Sequence, residues 1–488
     1  MGVKVMKKNN QSILSHFLTI ASGSFISMII SAITTPVITR LISISSYGKY
    51  SLYSVYVNVA LFIFCMGMDQ VIIRYFYEDE SNEYRRSLIS KCWIIPGITL
   101  TIFSLFFIII KNIFNLKFGE SNFYLILLFL GVLSQILYRI SLIIVRLQYK
   151  SKRYALITSL HKFIFLIVSV ILVCSLRSDN EYLLIISFII ASICPTIIAI
   201  MSEKSLWKIK IDNNIIKSKE IIKYGIPFII SSGVYIFYNA ADKICINFFK
   251  GEFDVGIYAS ATNLMGVFGI VQTTFSSLWY PMALEKFTKK PDDKSFHEKG
   301  CNVITIIMFV FGISIIMFKD LIIFFLGKNY REAVYLIPFL SFYPIMYTIS
   351  EATVHGIDFY KKNRLHMYIS IISLIFNLFG NILLIPIFGR VGAAISTGIS
   401  YILFFTLRTF FSLKYFKVNY HLKRIYILII ITFIFAIYST FVPLSYIHFI
   451  YYVLELLAIF VLYKNNFKDF KMILKEKFKK KGDVIINE

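Results

Sequence analysis

The chain has 488 residues, of which 57% are hydrophobic, 17% aromatic and only 16% charged, with a mean hydropathy of +0.72. A soluble domain of this length needs far more polar cover, so the composition excludes a water-soluble enzyme and requires an integral membrane protein. The formal net charge of +24 does not mark nucleic-acid binding, because Lys and Arg fall in short clusters between apolar runs; such clusters suit anionic lipid headgroups.

Windows of about 20 apolar residues bounded by charge predict fourteen membrane spans, near 13–38, 48–73, 87–110, 121–145, 154–176, 181–201, 220–247, 255–281, 300–326, 333–354, 365–387, 391–412, 424–443 and 446–463. Lys4, Lys7 and Lys8 precede the first run, but that run continues to about Ile38, too long for a signal-peptide core. Basic residues concentrate in alternate connections: 202–219 and 282–299 hold five each, while the link between the last two spans holds none. By the positive-inside rule this places both termini in the cytoplasm. The connections are short, which leaves no room for a soluble catalytic domain. The six cysteines (Cys65, Cys92, Cys174, Cys194, Cys245, Cys301) are scattered in or beside apolar runs and read as small buried hydrophobes rather than a disulfide framework or metal site.

Tyr47-Gly48-Lys49-Tyr50 opens the second expected span, and Val255-Gly256-Ile257-Tyr258 opens the eighth in the same way. Six spans separate the two, and six is even, so both halves cross in the same sense; this predicts parallel repeats about an axis along the membrane normal. Chance recurrence in a Tyr-rich chain is the competing explanation. The expected architecture is all-α and polytopic: a six-helix bundle over 1–215, a second over 216–415, two further transmembrane helices over 416–465, and a basic cytoplasmic tail over 466–488.

Motifs for ATP hydrolysis, zinc binding or a serine nucleophile are missing, so neither catalysis nor a cofactor is expected. What remains are ionisable groups inside spans, each costing on the order of 2.5–3.5 kcal/mol at mid-bilayer if it faced lipid. Asp242 and Lys243 are adjacent, and about 100° of turn per residue prevents them from neutralising each other on one face; Asp242 shares a face with Tyr238, and Lys243 with Asn239. Asp69, Arg74, Arg139, Arg146 and Lys162 complete the embedded set, with Lys162 the most deeply placed. Lys91 and Lys223, in the first turns of their spans, read as lysines snorkelling to the interface, and Arg408 similarly. Glu351, His355 and Asp358 form an i, i+4, i+7 row, which suits either proton coupling or a solvated helix end. The embedded balance is cationic, which favours an anionic ligand; pyrophosphate fits because Arg and Lys bind phosphate oxygens through charge-assisted hydrogen bonds.

Several stretches carry a resemblance: Tyr47–Tyr50, GMDQVIIRYF from Gly67, YGIPF from Tyr224, ADKICINFFKGEFDVGIYASA from Ala241, LWYPMALEKF from Leu278, GKNYREAVYLIPFL from Gly327 and GRVGAAISTGISY from Gly389. In this order they resemble the O-antigen and polysaccharide flippases of the multidrug/oligosaccharidyl-lipid/polysaccharide exporter superfamily. The resemblance implies translocation of undecaprenyl-pyrophosphate-linked oligosaccharides across a bacterial plasma membrane, through a cationic cavity, with the last two helices as a lipid-tail groove. Membrane lipids, a polysaccharide polymerase and a chain-length regulator are the implied partners. On the matching motifs, Arg74, Asp242 and Lys243 become the leading functional positions. A cation-coupled drug or metabolite exporter, a lipid II flippase and a membrane glycan polymerase are the competing functions. The exporter would want acidic cavity residues, and the polymerase a large outer loop.

Overall fold

The structure, a computed structural model, describes residues 2–114, 121–212 and 216–464. Every one of the fourteen expected stretches is helical, and among the described residues there is no strand. In chain order the helices are α1 (Gly2–Leu41), α2 (Ile44–Cys65), α3 (Met68–Tyr75), α4 (Asn82–Phe114), α5 (Asn122–Leu147), α6 (Ser151–Leu176), α7 (Glu181–Ser202), α8 (Ser218–Lys250) and α9 (Glu252–Lys289). There follow α10 (Ser295–Met317), α11 (Lys319–Phe324), a 3₁₀ turn (Lys328–Tyr335), α12 (Ile337–Leu340), α13 (Phe342–Thr353), α14 (His355–Phe359), α15 (Arg364–Phe388), α16 (Arg390–Tyr415), α17 (Leu422–Phe441) and α18 (Tyr446–Leu462).

The count of fourteen spans is not reached. Among the described residues ten helices are long and apolar enough to cross a membrane, or twelve if each of two bent pairs is one span. The bends correct two expected continuous spans: α2 and α3 meet at 49°, and the 3₁₀ turn meets the α12–α13 stretch at 60°. α18 has only 17 residues, and α8, although 33 residues long, is diluted by Gly233, Asn239, Asp242 and Lys243. The expected basic tail 466–488 lies outside the described residues, as does the Asn239 side chain.

Two compact units form, one of residues 1–263 with 326–330, the other of 264–325 with 331–488. Tyr53, Val57, Met68, Ile72, Leu88, Ile136, Ile140 and Ile144 are buried at the centre of the first unit. Lipid tails are as apolar as leucine, so such helices associate through close van der Waals fit and small residues. The G-x-Y stretches provide that fit, and in a reciprocal way. A Cβ on Gly48 would lie 1.9 Å from the Glu252 carbonyl oxygen, and one on Gly256 would lie 2.1 Å from the Ile44 carbonyl oxygen. Each glycine thus meets the carbonyl four residues before the other, as a two-fold crossing of α2 and α9 requires.

In the second unit α15 and α16 form an antiparallel pair, joined at Gly389. α16 packs on α13, and α17 and α18 pair with each other and with α10.

Candidate cationic site

The first unit places the charges of α8 in two directions. Asp242 is buried and accepts a hydrogen bond from the Tyr258 hydroxyl of α9 at 2.5 Å. Lys243, one residue on, lines a cavity of about 240 Å³. The helical turn of about 100° per residue separates the pair: the carboxylate serves helix packing and the ammonium is delivered to open space. Lys162, from the middle of α6, lines the same cavity, together with Thr34, Thr35, Tyr47, Tyr50, Ser51, Ser54 and Asn263. Among the described residues neither lysine is ion-paired, and no carboxylate lines this space.

The aromatic wall of the cavity is held rigidly. Tyr47 accepts a hydrogen bond from Asn263 Nδ2 at 2.8 Å and meets the Tyr330 ring edge-on, with centroids 5.9 Å apart. Tyr330 is fully buried, and its hydroxyl is in hydrogen-bond range of the Ile42 and Ser43 carbonyls, at 3.1 and 2.9 Å, tying down the α1–α2 corner. Tyr50 stacks on Phe165 at 5.6 Å.

A second polar cavity, of about 420 Å³, is lined by Asp69, Gln70, Arg139, Arg146, Tyr138 and Tyr154 among others. Its carboxylate is positioned by the break after α2. Met66 and Gly67 both take positive φ, 51° and 70°, and a Cβ on Gly67 would sit 2.3 Å from the Gly225 carbonyl oxygen. Glycine is therefore required there on both conformational and steric grounds. The break sets Asp69 in the first turn of α3, where unpaired backbone N–H groups favour a carboxylate. Arg139 Nη2 donates to Asp69 Oδ2 at 2.7 Å, and Gln70 Nε2 donates to the same oxygen at 3.1 Å. Arg146 has no ion-pair partner among the described residues.

Other sequence-predicted positions fall elsewhere. Arg74 is exposed, pairs with Glu78 at 2.9 Å and lines neither polar cavity. Lys91, expected to snorkel, is 2% exposed; its ammonium donates to the carbonyls of Asp212 at 2.9 Å and of Ile216, tethering the connection before α8. Lys223 is exposed on α8.

In the second unit, Arg408 was also expected at the interface but is buried, and its Nη1 donates to Glu351 Oε1 and Ser350 Oγ, both at 2.7 Å. The row Glu351, His355 and Asp358 is interrupted between α13 and α14 at Val354. Each member has its own partner: His355 Nε2 accepts from Trp279 Nε1 at 2.7 Å, and Asp358 lies 2.8 Å from His366.

Sequence reasoning missed three features. Tyr47 and Asn263, distant in sequence, share one cavity wall. A third cavity of about 460 Å³, walled by Phe64, Leu100, Phe103, Phe107, Leu128 and Ile244, is almost entirely apolar. Glu455 is fully buried on α18 and accepts a hydrogen bond from Thr432 of α17. A lone carboxyl inside the last apolar run was the available signal for Glu455.

Among the described residues, helices long and apolar enough to cross a membrane, with cationic side chains lining polar cavities between them, form the architecture of a polytopic membrane protein. The solved structure of a lipid II flippase in an inward closed conformation has the same fold, with a TM-score of 0.66 at 18% identity over 94% of this chain and 99% of that one. The family model for polysaccharide biosynthesis proteins matches residues 13–287. The chain belongs to that family. A capsular polysaccharide biosynthesis protein of Staphylococcus aureus is 26% identical over 201 residues, 40% of this chain and 50% of that protein. A probable low-salt glycan biosynthesis flippase of Haloferax volcanii is 24% identical over 190 residues, 38% of this chain and 40% of that one. The chain spans about half the length of the curated relatives it matches.

Proposed function

We propose that this protein is a flippase for lipid-linked oligosaccharides, with undecaprenyl-pyrophosphate-linked repeat units of a surface polysaccharide as its substrate. The observation that carries this reading is the pair Lys162 and Lys243, both unpaired by any described carboxylate and lining one cavity with hydroxyl and aromatic side chains. Two ammonium groups replace the hydration of a diphosphate through charge-assisted hydrogen bonds. Tyr and Ser side chains beside them offer stacking faces and hydroxyl partners for sugars. A cationic lining without carboxylates disfavours export of organic cations. Family membership and the flippase fold support the same reading.

In this mechanism the lipid tail stays in hydrocarbon while alternating access exposes the headgroup first to the cytoplasmic side and then to the outer side of a bacterial plasma membrane. The division into bundles over 1–215 and 216–415 and the cytoplasmic placement of both termini belong to this proposal. So do ion coupling through Glu351, His355 and Asp358, and handover to a polymerase and chain-length regulator. The driving force is then a proton or sodium gradient, the membrane potential acting on an anionic headgroup, or consumption of the product outside.

The test is surface-glycan export in cells carrying K162Q/K243Q, with protein level in the membrane as control. Each lysine–phosphate contact contributes about 1.5–3 kcal/mol, so export falls by at least about tenfold, and K162R/K243R retains most of it. Normal export by K162Q/K243Q overturns the reading. Rescue of cells depleted of lipid II flippase reassigns the substrate to peptidoglycan precursor.

A further inference from the structure

The two polar cavities of the first unit share no lining residue, yet one layer of side chains separates them. Tyr138 faces the arginine cavity and His161 the lysine cavity, and their rings stack with centroids 4.6 Å apart and planes 25° apart. Beside the stack, Gln135, another lining residue of the arginine cavity, donates from Nε2 to Ser192 Oγ at 2.6 Å. That oxygen lies 3.4 Å from His161 Nε2, and its own proton goes to the Phe188 carbonyl at 2.8 Å. With its only proton so used, Ser192 accepts from both Gln135 and His161. The partition is thus locked by one hydroxyl and one ring stack.

The cavities are arranged along a single helix. Ser51 and Ser54 of α2 line the lysine cavity, and Asn58 and Leu61 the arginine cavity. The step from Ser54 to Asn58 is one helical turn, about 6 Å of axial rise. Both cavities are cationic but unequal. The lysine cavity has two cations and no lining carboxylate, whereas in the arginine cavity Asp69 compensates Arg139 and leaves Arg146 as the uncompensated charge.

We propose that the phosphorylated headgroup occupies two stations in turn, the arginine cavity and the lysine cavity, and that the Tyr138–His161 stack is the gate between them. This rests on the flippase reading above. A polyanion bound at one strong site would leave slowly; a weaker station one turn away along α2 lets it move in steps, each compensated before the previous contacts are lost. On the topology read from the sequence, the arginine station is the cytoplasmic one. Passage requires the ring stack to part and the Gln135–Ser192–His161 lock to open.

The experiment uses the full chain in lipid nanodiscs, with inorganic pyrophosphate as the probe in calorimetric titration, and proteoliposomes for glycolipid flipping. Wild type binds two pyrophosphates with unequal affinity; K162Q/K243Q keeps the weaker site, and R146Q, which leaves the Asp69–Arg139 pair intact, keeps the tighter one. One site abolished by either substitution set overturns the two-station arrangement while leaving the flippase reading standing. Two sites undisturbed by K162Q/K243Q sink the flippase reading itself. For the gate, Y138A raises the flipping rate at least about threefold over Y138F, in which the ring stack on His161 is kept. An unchanged or lowered rate in folded Y138A overturns the gate.

Discussion

At the level of single residues, the adjacent charges Asp242 and Lys243 have divergent roles, and only their partners reveal this. Asp242 is buried beside the Tyr258 hydroxyl, so its carboxylate belongs to the packing of α8 on α9. Y258F removes a hydrogen bond to a charged acceptor, worth about 1.5–3 kcal/mol. We expect a lower melting temperature with pyrophosphate affinity at the lysine cavity unchanged once the protein is folded. Equal thermal stability of Y258F and wild type, measured in detergent by intrinsic fluorescence, removes the packing role. Arg408 and Glu351 teach a related lesson: apolar context suggested an interfacial arginine, but a buried arginine paired with a partly buried carboxylate across α16 and α13 is what the fold contains. Inside a membrane an ionisable group faces protein or a cavity, and which of these it meets depends on residues tens of positions away.

At the level of elements, the crossing of α2 and α9 depends on two glycines that approach the opposing backbone reciprocally. A methyl group at either position pushes the helices apart, and overpacking of this kind costs about 1–3 kcal/mol. G48A and G256A are each expected to lower the thermal midpoint, and the double variant to cost less than the sum, because both widen the same crossing. Strict additivity, or wild-type stability in either single variant, counts against the close approach. The broken helix α2–α3 shows what periodicity leaves out. The stretch 48–73 is uniformly apolar enough for one span, but consecutive positive φ values at Met66 and Gly67 divide it, and Asp69 gains a helix N-terminus from that division. The GMD triplet carried a hint of the break in its glycine. The steric demand from Gly225 lay 158 positions downstream.

At the level of the whole molecule, orientation rests on the distribution of Lys and Arg. Single cysteines placed at Lys290 and Lys328 in a cysteine-free background are expected to react with an impermeant maleimide from opposite sides, Lys290 only after the cytoplasmic face is opened. Labelling of Lys290 in intact cells would reverse the topology and move the arginine station to the outer side.

The sequence by itself determined the membrane class, the helical stretches, the cationic balance of the embedded charges and the ordered motifs of the polysaccharide biosynthesis family, because hydropathy, charge placement and local spacing are properties of neighbouring residues. It also identified Lys162 and Lys243, since an ammonium inside an apolar run is conspicuous. Tertiary structure alone decided that these two lysines share one cavity, that Asp69 compensates Arg139, that Arg74 lies outside both polar cavities and that Lys91 and Arg408 are turned inward. Each of those outcomes depends on how helices distant in sequence approach within a few ångströms, and a one-dimensional pattern holds no distance between such segments.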